Sequence, residues 1–414
     1  MLKTSAIVLE ESFCNYQHGA RRVRKFGKLT YSLSGNLLSD RNYKSKVNAV
    51  TDFASRRQRA AIIAKQANLG AIAIVPGPNF SYLSGLDFHL MERPTVMFLT
   101  EQAKVIAIIP EIERSKWLDT FPQATTFFWQ DSDGYDNAFS ACAKLLPAVI
   151  GVEGMRMRMF EFQALSMHLS QSSIIDADPH LAALRICKDV QEIEALRKAI
   201  MISENAVSEL LEGAKAGETE LTLSSRLKQA MLLHGAEGFA FEPLVLSGPK
   251  SADPHGTTGE RPIAAGEPLL IDFGASWGGM NADITRTFFC EYIPDDTLSI
   301  YETVKLANER GRDIAACGIT CDMLDRETTA ILAASSYADM IVHKTGHGLG
   351  LDVHEAPQVM IGNHLALRSG MVITIEPGLY RSGQLGVRIE DDVLITEDGA
   401  ESLTSFDREV HCFG

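Results

Sequence analysis

Two aspartates occupy positions where an unpaired carboxylate would be costly to bury. Asp272 ends the apolar run "PLLID", and Asp283 begins "DITRTFF" eleven positions later. Because side chains alternate along a strand, Asp283, Thr285 and Thr287 are predicted to share one face. A turn over residues 274–281 would bring the two carboxylates together. Like charges at such short range repel each other, so this arrangement requires a cation.

Three more residues have the character of metal ligands. His347 lies between glycines in "KTGHGLGLDVHEAP", where little side-chain bulk blocks access. Glu376 follows the apolar strand "VITI" and precedes Pro-Gly, and Glu390 lies inside the strand "GVRIEDDVLI". Arg388 is two residues before Glu390 and is therefore predicted on the same strand face. Each residue alone fits an ordinary loop, turn or edge strand; the four acids together indicate a cation site.

The composition of this set predicts the kind of cation. Four carboxylates and one imidazole suit Mn²⁺ best, with Co²⁺, Zn²⁺ or Fe²⁺ as alternatives. Five ligands exceed the three protein ligands of an ordinary catalytic zinc. Bridging carboxylates would hold two ions about 3.5 Å apart, an arrangement that activates a shared water and polarises a carbonyl. The sequence therefore predicts two divalent metal ions.

The elements that must position these residues fall into three regions. Residues 1–50 are predicted to be a basic extension of unassigned role. Residues 51–180 alternate helical patterns with short buried strands such as "AIAIV", and a hairpin is predicted across residues 100–104, which indicates a small α/β domain. Residues 181–414 begin with a long helix and continue with antiparallel-type strand pairs. This pattern predicts an α+β domain that carries all five candidate ligands.

Charge and composition exclude several classes of protein. The net charge is −14, and residues 1–50 hold nine Lys/Arg against three acids, so the remainder carries 30 against 50. An acidic body does not bind nucleic acid, and no apolar run approaches the roughly 18 residues of a membrane span. Seven cysteines without a CxxC pair indicate reduced thiols and a cytoplasmic location. An organelle address in residues 1–50 remains an alternative.

The candidate ligands and their neighbours resemble the pita-bread metallopeptidases, which include Xaa-Pro dipeptidase (prolidase), aminopeptidase P and methionine aminopeptidase. The shared motifs follow in chain order: Asp272 in an apolar strand, Asp283-Ile-Thr-Arg-Thr, His347-Gly-Leu-Gly, Glu376-Pro-Gly and Arg388-Ile-Glu390-Asp. The resemblance covers about residues 180–414. Residues 51–178 resemble the amino-terminal domain of the prolidase and aminopeptidase P branch, so this branch and its two-domain fold are expected.

The resemblance implies an activity and four catalytic roles. A hydroxide bridging two metal ions would attack the carbonyl of an Xaa-Pro bond, in a dipeptide or short peptide with proline second. Glu376 would be general base and metal ligand, His255 would steady the tetrahedral intermediate, and His354 would contact the residues at the scissile bond. Arg388 would orient an acidic ligand. The family also implies a homodimer.

Several alternatives remain open from the sequence. Dipeptidase activity is favoured over aminopeptidase P, and methionine aminopeptidase is disfavoured because that branch lacks the α/β domain. Non-peptidase chemistry, like that of ectoine hydrolase or dimethylsulfoniopropionate lyase, survives because those relatives keep metal-site residues. A binding module without activity is disfavoured because all five ligands are present. Phe241, Tyr82 and Arg93 are hypotheses for a proline slot and a carboxylate-binding cation.

Overall fold

A computed structural model describes residues 51–169 and 173–414 of the chain. The predicted basic extension, residues 1–50, lies outside the described residues. None of the helices in the described ranges combines the length and the apolar character needed to cross a bilayer. The fold is an α/β region followed by an α+β region, as the sequence predicted.

The first region is a six-stranded sheet covered by helices. Its strands run in the order β4-β3-β2-β1-β5-β6, with β2 antiparallel to both β1 and β3. The predicted hairpin is confirmed, because β2 ends and β3 begins on either side of residues 101–104. The strands are β1 (Ala71–Ile74), β2 (Val96–Thr100), β3 (Val105–Pro110), β4 (Thr125–Trp129), β5 (Val149–Val152) and β6 (Ser173–Asp176). The helices are α1 (Phe53–Gln66), α2 (Pro78–Ser84), α3 (Arg114–Thr120), α4 (Asp136–Ala143), α5 (Met159–His168) and α6 (Asp178–Arg185).

The second region is built from antiparallel strand pairs and four long helices within the described residues. The helices are α7 (Val190–Gly213), α8 (Glu220–Leu233), α9 (Asp295–Ile314) and α10 (Cys321–Ala333). The strands are β7 (Gly238–Phe239), β8 (Leu244–Ser247), β9 (Pro268–Phe273), β10 (Ala275–Trp277), β11 (Met280–Asn281), β12 (Ile284–Cys290), β13 (Gly346–Gly348), β14 (Glu355–Val359), β15 (Val372–Ile375), β16 (Gly378–Arg381), β17 (Leu385–Arg388), β18 (Asp391–Thr396), β19 (Gly399–Ser402) and β20 (Cys412–Phe413).

Two sheets of the second region carry the candidate ligands. One runs in the order β20-β12-β9-β8 and the other in the order β14-β13-β15-β18-β19. Their strands are buried almost throughout, since β9, β12, β15 and β18 are rich in Ile, Leu, Val and Phe. The main apolar core of this region packs α7 and α8 against β9 and β12. Polar side chains on these strands therefore lie in a water-poor interior.

The predicted turn over residues 274–281 proves to be a β-hairpin. Strands β10 and β11 pair there, with Trp277 opposite Met280, and β10 also pairs with β7. The connection is Gly278-Gly279, and both residues have positive φ, 59° and 77°. A two-residue hairpin of this type needs φ > 0 at both central positions, which glycine adopts without strain.

The two regions meet at the start of α7. Asp189 accepts from the backbone N–H of Glu192, and the Glu192 side chain accepts from the backbone N–H of Asp189, so the pair forms a capping box. Arg56 of α1 donates to both carboxylates at 2.9 Å. One arginine of the first region therefore fixes the beginning of the longest helix of the second. The division near residue 180 remains a prediction.

Candidate metal centre

The five candidate ligands converge from five separate segments. Asp272 lies on β9 and Asp283 immediately precedes β12, where Asp272 is the register partner of Thr285. His347 lies on β13, Glu376 follows β15, and Glu390 separates β17 from β18. The four carboxylates, Asp272, Asp283, Glu376 and Glu390, are called the acid cluster below.

The side-chain atoms of these residues lie within coordination range of one another. His347 Nε2 is 3.6 Å from Asp283 Oδ2 and 3.5 Å from Glu376 Oε1. Ligand atoms of His347, Glu376 and Glu390 lie within 4.8 Å of each other, and so do those of Asp272, Asp283 and Glu390. Because Glu390 belongs to both groups, the arrangement fits two ions that share a bridging carboxylate.

The acid cluster is electrostatically unfavourable with the protein's own charges alone. Burial, reinforced by Glu390 and Asp272, raises the pKa of Asp283 well above its usual range. Burial and the negative charges of Glu376 and Asp272 likewise raise the pKa of Glu390 well above its usual range. Burial also raises the pKa of Glu376 to about 7, although Arg388 opposes the shift. A site that disfavours ionised carboxylates to this degree favours the binding of additional cations.

The hydrogen bonding of His347 leaves one nitrogen for a cation. His347 Nδ1 lies 3.0 Å from the carbonyl oxygen of Gly348, which can only accept, so Nδ1 carries the hydrogen. Nε2 then carries no hydrogen, and its lone pair points toward two carboxylate groups. Burial, together with His354, lowers the pKa of His347 to about 3, so the ring stays neutral. A neutral imidazole whose other nitrogen is anchored to a carbonyl is the form in which histidine binds metals.

Arg388 is the protein cation in direct contact with the acid cluster. Its guanidinium group is buried and donates to Asp272 Oδ2 at 2.6 Å, to Thr285 Oγ1 at 2.9 Å and to Tyr380 OH at 2.9 Å. Thr285 Oγ1 donates in turn to Glu390 Oε2 at 2.6 Å. One positive charge is too little for four carboxylates. Asp272 Oδ1 remains buried without a hydrogen-bond partner in the described residues, as expected of an atom reserved for a metal.

The two histidines that the family resemblance singled out lie on loops. His354 is next to the acid cluster, and the charge of His255 contributes to lowering the pKa of His354. His255 and His354 are both exposed. The His354 ring centroid is 4.2 Å from that of His347, and its ligand atom lies within 4.8 Å of those of Asp283 and His347. An exposed side chain next to such a charged cluster can contact a substrate bound there.

Sequence reasoning missed residues that complete the centre. Tyr380 accepts from Arg388 and lies 2.9 Å from His343 Nε2, and Lys344 donates to the side-chain amide of Gln358. A tyrosine in a strand, such as Tyr380 in β16, or a lysine just before one, such as Lys344 before β13, is ordinary, so only the contacts between distant segments revealed them. His343 supports this tyrosine through the 2.9 Å contact.

The proposed substrate-specificity residues of the first region are otherwise occupied. Arg93 is ion-paired with Asp131 and Glu92 at the surface, so its charge is already compensated within the chain. Tyr82 is a core residue whose hydroxyl group donates to the Leu184 carbonyl oxygen at 2.9 Å. Tyr82 therefore has a structural role, whereas a contribution of Arg93 to the site of a partner subunit, as the sequence suggested, stays a prediction.

Comparison with known families assigns both regions. Residues 194–397 match the model of metallopeptidase family M24, and residues 56–187 match the model of the creatinase/prolidase N-terminal domain. The two matched segments agree with the α+β and α/β regions described above.

Individual proteins that are similar to this chain are dipeptidases and prolidases. The chain is 40% identical over 233 residues to an Xaa-Pro dipeptidase of Pyrococcus furiosus, covering 56% of this chain and 67% of that protein. It is 31% identical over 362 residues to a probable dipeptidase, PepE, of Mycobacterium tuberculosis, covering 86% of this chain and 96% of the relative. The crystal structure of a prolidase from Thermococcus sibiricus superposes with a TM-score of 0.84 at 32% identity, covering 88% of this chain and all of the other.

Proposed function

This chain belongs to metallopeptidase family M24, and we propose that it is a metal-dependent peptidase that hydrolyses the bond before proline in dipeptides or short peptides. The observation that carries the proposal is the convergence of four carboxylates, two buried and two partly buried, and one neutral imidazole. The single positive charge of Arg388 is too little to neutralise them. Relatives named Xaa-Pro dipeptidase and prolidase support the substrate class. They also disfavour the small-molecule hydrolase and lyase alternatives.

We propose that Asp272, Asp283, His347, Glu376 and Glu390 hold two divalent ions. The oxygen-rich set favours Mn²⁺, and the imidazole also admits Co²⁺, Zn²⁺ or Fe²⁺. When bound, such ions would polarise the scissile carbonyl and lower the pKa of water between them. Elemental analysis of protein purified without added chelator and reloaded with Mn²⁺ tests this: about two ions per chain are expected, and one or fewer would contradict it.

The chain's own residues supply proton transfer and orientation. Glu376 would accept the proton of the attacking water and deliver it to the proline nitrogen, which must be protonated to leave. His255 and His354 would donate hydrogen bonds to the carbonyl groups around the scissile bond and stabilise the developing negative charge. Arg388 would keep Asp272 in its orientation through the 2.6 Å contact.

Lys344 favours a dipeptide as substrate. Its ammonium group donates to Gln358, and no carboxylate of the described residues forms an ion pair with it. Gln358 is the cross-strand partner of His347, so both side chains lie on one face of the sheet. The charge of Lys344 opposes part of the rise in the pKa of Glu376 and contributes to the lowering of the pKa of His354. The lysine is therefore close enough to act on the acid cluster. A cation not paired with an acid at this position suits the free carboxylate of Xaa-Pro.

A substrate panel tests both the reaction and this preference. Mn²⁺-loaded protein should hydrolyse Gly-Pro and Ala-Pro faster than Ala-Pro-Pro, and no hydrolysis of any of the three would refute the peptidase proposal. Lys344→Met should raise KM for Gly-Pro by roughly 10–100-fold, because a charge-assisted hydrogen bond is lost. KM for Gly-Pro amide, which has no carboxylate, should stay unchanged, and Lys344→Arg should retain most of the affinity. An equal increase in KM for both substrates would show that Lys344 does not bind the substrate carboxylate.

Two broader proposals concern location and assembly. The described cysteines are all free thiols, which supports a reducing compartment such as the cytoplasm. A homodimer is proposed from the family alone. Light scattering on the purified protein measures the mass directly, and a value near the 45.3 kDa of one chain would refute the dimer.

A further inference from the structure

The loop that carries His354 has an acidic residue on each side of the histidine. It connects β13 to β14, with Asp352 two positions before His354 and Glu355 immediately after it. Neither acid belongs to the acid cluster, and the proposed reaction uses neither of them. Their partners lie far away in the chain, in the first region and in the segment that connects the two regions.

Three cations hold these two acids. Arg185 Nη2 is 2.8 Å from Asp352 Oδ2, and Arg156 Nη2 is 3.2 Å from Asp352 Oδ1. Arg185 also reaches Glu355 at 2.9 Å, and Lys188 Nζ is 2.7 Å from Glu355 Oε1. These five residues are called the latch. Its contacts join positions 167 and 196 residues apart.

The two halves of the latch differ in burial. The Lys188 and Glu355 side chains are 2% and 6% exposed, so that pair is part of the interior. Asp352 is 30% exposed and Arg156 34%, so the Asp352 half lies near solvent. Breaking a buried pair leaves an unpaired charge and is strongly destabilising. An exposed pair contributes little to stability, so a large effect of Asp352 on the reaction would have to arise from positioning.

The backbone of the same loop is held from the opposite side. Asn281 Nδ2 donates to the carbonyl oxygens of Gly350 at 3.0 Å and Leu351 at 2.9 Å. A Cβ atom at Gly350 would lie 2.8 Å from Glu355 Oε1 and 3.0 Å from the Lys188 side chain, so any other residue type there would displace these two latch side chains. The loop is therefore fixed between β11 and the latch, and His354 is its exposed side chain.

We propose that Arg156 and Arg185 are positioning residues that act through Asp352 to hold His354 in its working orientation. The first region thereby sets the geometry of the reaction in the second. This inference rests on the proposed function, because it needs His354 to contact the substrate. A displacement of about 1 Å of a catalytic group is enough to cost up to about a hundredfold in rate.

A double-mutant cycle tests the proposal. Asp352→Asn should lower kcat for Gly-Pro by about tenfold or more, with KM, metal content and melting temperature close to wild type. Arg185→Gln should also lower kcat, and Arg185→Lys should restore part of the loss. Because Arg185 is 12% exposed and also pairs with the buried Glu355, Arg185→Gln should lower the melting temperature as well, so Asp352→Asn is the variant that separates positioning from stability. In a His354→Ala background, Asp352→Asn should cost less than about twofold, because the group it positions is already absent. A full additional loss in that background, or wild-type kcat for Asp352→Asn alone, would overturn the proposal.

A matched control uses an ion pair of similar exposure outside the latch. Arg197 and Glu401 are 36% and 46% exposed and 2.7 Å apart, and Arg197→Gln should leave kcat unchanged. The His354 ring resonance in an NMR spectrum provides a readout that does not need activity. Asp352→Asn should shift or broaden it and Arg197→Gln should not. An unperturbed His354 resonance in Asp352→Asn refutes the latch even if the protein proves not to cleave Xaa-Pro bonds.

Discussion

Glu390 and Asp391 are neighbours in the chain, both fully buried, yet they occupy opposite electrostatic environments. Glu390 belongs to the acid cluster. Its burial and the negative charges of Glu376 and Asp272 raise its pKa well above the usual range. Burial would also raise the pKa of Asp391, but Arg286 and Arg408 outweigh it and hold that pKa below its usual value.

The difference arises from the alternation of side chains along β12, which contacts this segment through the hydrogen bond from the Glu390 backbone N–H to the Thr285 carbonyl oxygen. Thr285 points to one face and donates to Glu390 at 2.6 Å, whereas Arg286 points to the other and donates to Asp391 at 2.7 Å. Burial of an acid is therefore not by itself a metal signal. Glu390 receives a hydroxyl hydrogen bond, from Thr285, whereas Asp391 receives hydrogen bonds from two guanidinium groups, those of Arg286 and Arg408.

The largest expected effect comes from removing one charge from the acid cluster. Asp283→Asn, or Glu376→Gln, should reduce kcat by at least about a thousandfold, because ion binding or proton transfer is lost. Steady-state kinetics on Gly-Pro with excess Mn²⁺ measures this, and circular dichroism should show the fold intact. A kcat above about a tenth of the wild-type value would show that the acid cluster is not where the reaction takes place.

The same Asp283→Asn change should increase the stability of the chelated, metal-free protein. It relieves repulsion among buried carboxylates, which otherwise only cations would offset. Urea denaturation in excess chelator is the measurement. A metal-free variant less stable than the metal-free wild type would contradict the view that the acid cluster is held against its own repulsion.

On the reverse face, removing a charge should have the opposite effect. Asp391→Asn leaves Arg286, which is 1% exposed, without its carboxylate and should destabilise the protein by about 3–5 kcal/mol. Asp392→Asn is the matched control: Asp392 is equally buried, but burial raises its pKa well above the usual range and its Oδ1 has no partner in the described chain. Urea unfolding at pH 7 should show no comparable loss for the control. Equal losses would erase the distinction between the two faces.

A smaller effect is expected at Glu153, a buried acid of the first region whose carboxylate forms no ion pair with an arginine in the described residues, although the charge of Arg156 opposes part of the rise in its pKa. Glu153 accepts from the Val75 backbone N–H at 2.8 Å and from the Asn79 amide at 2.9 Å, and burial raises its pKa to about 7. The folded protein therefore binds a proton more tightly than the unfolded chain does, and stability falls as pH rises through the window from about 4.5 to 7.

Glu153→Gln mimics the protonated acid and should remove this contribution. Between pH 5 and pH 8 the wild type should lose about 2 kcal/mol more stability than the variant. Urea unfolding of the metal-loaded proteins at both pH values measures the difference. Parallel pH profiles for the two proteins would show that Glu153 ionises without penalty.

The sequence by itself determined the local part of this centre. Residue type and a two-residue strand period were enough to predict that Asp283 and Thr285 share a face. The prediction that Glu390 lies inside a strand with Arg388 is wrong, because β17 ends at Arg388 and β18 begins at Asp391. Thr285 nevertheless contacts both residues, since its hydroxyl group donates to Glu390 at 2.6 Å and accepts from Arg388 at 2.9 Å. The α/β and α+β regions were predictable for the same reason, because hydrophobic periodicity is a property of adjacent residues.

Only the tertiary structure decided which segments meet. Thr285 and Glu390 are 105 residues apart, and the latch joins residues separated by 167 and 196. No local pattern marks Lys344, Tyr380 or Arg185 as neighbours of the site, since contacts between distant segments depend on how sheets and helices pack. A sequence specifies which side chains are available and which face they point to, whereas packing of the whole chain decides which charge meets which partner.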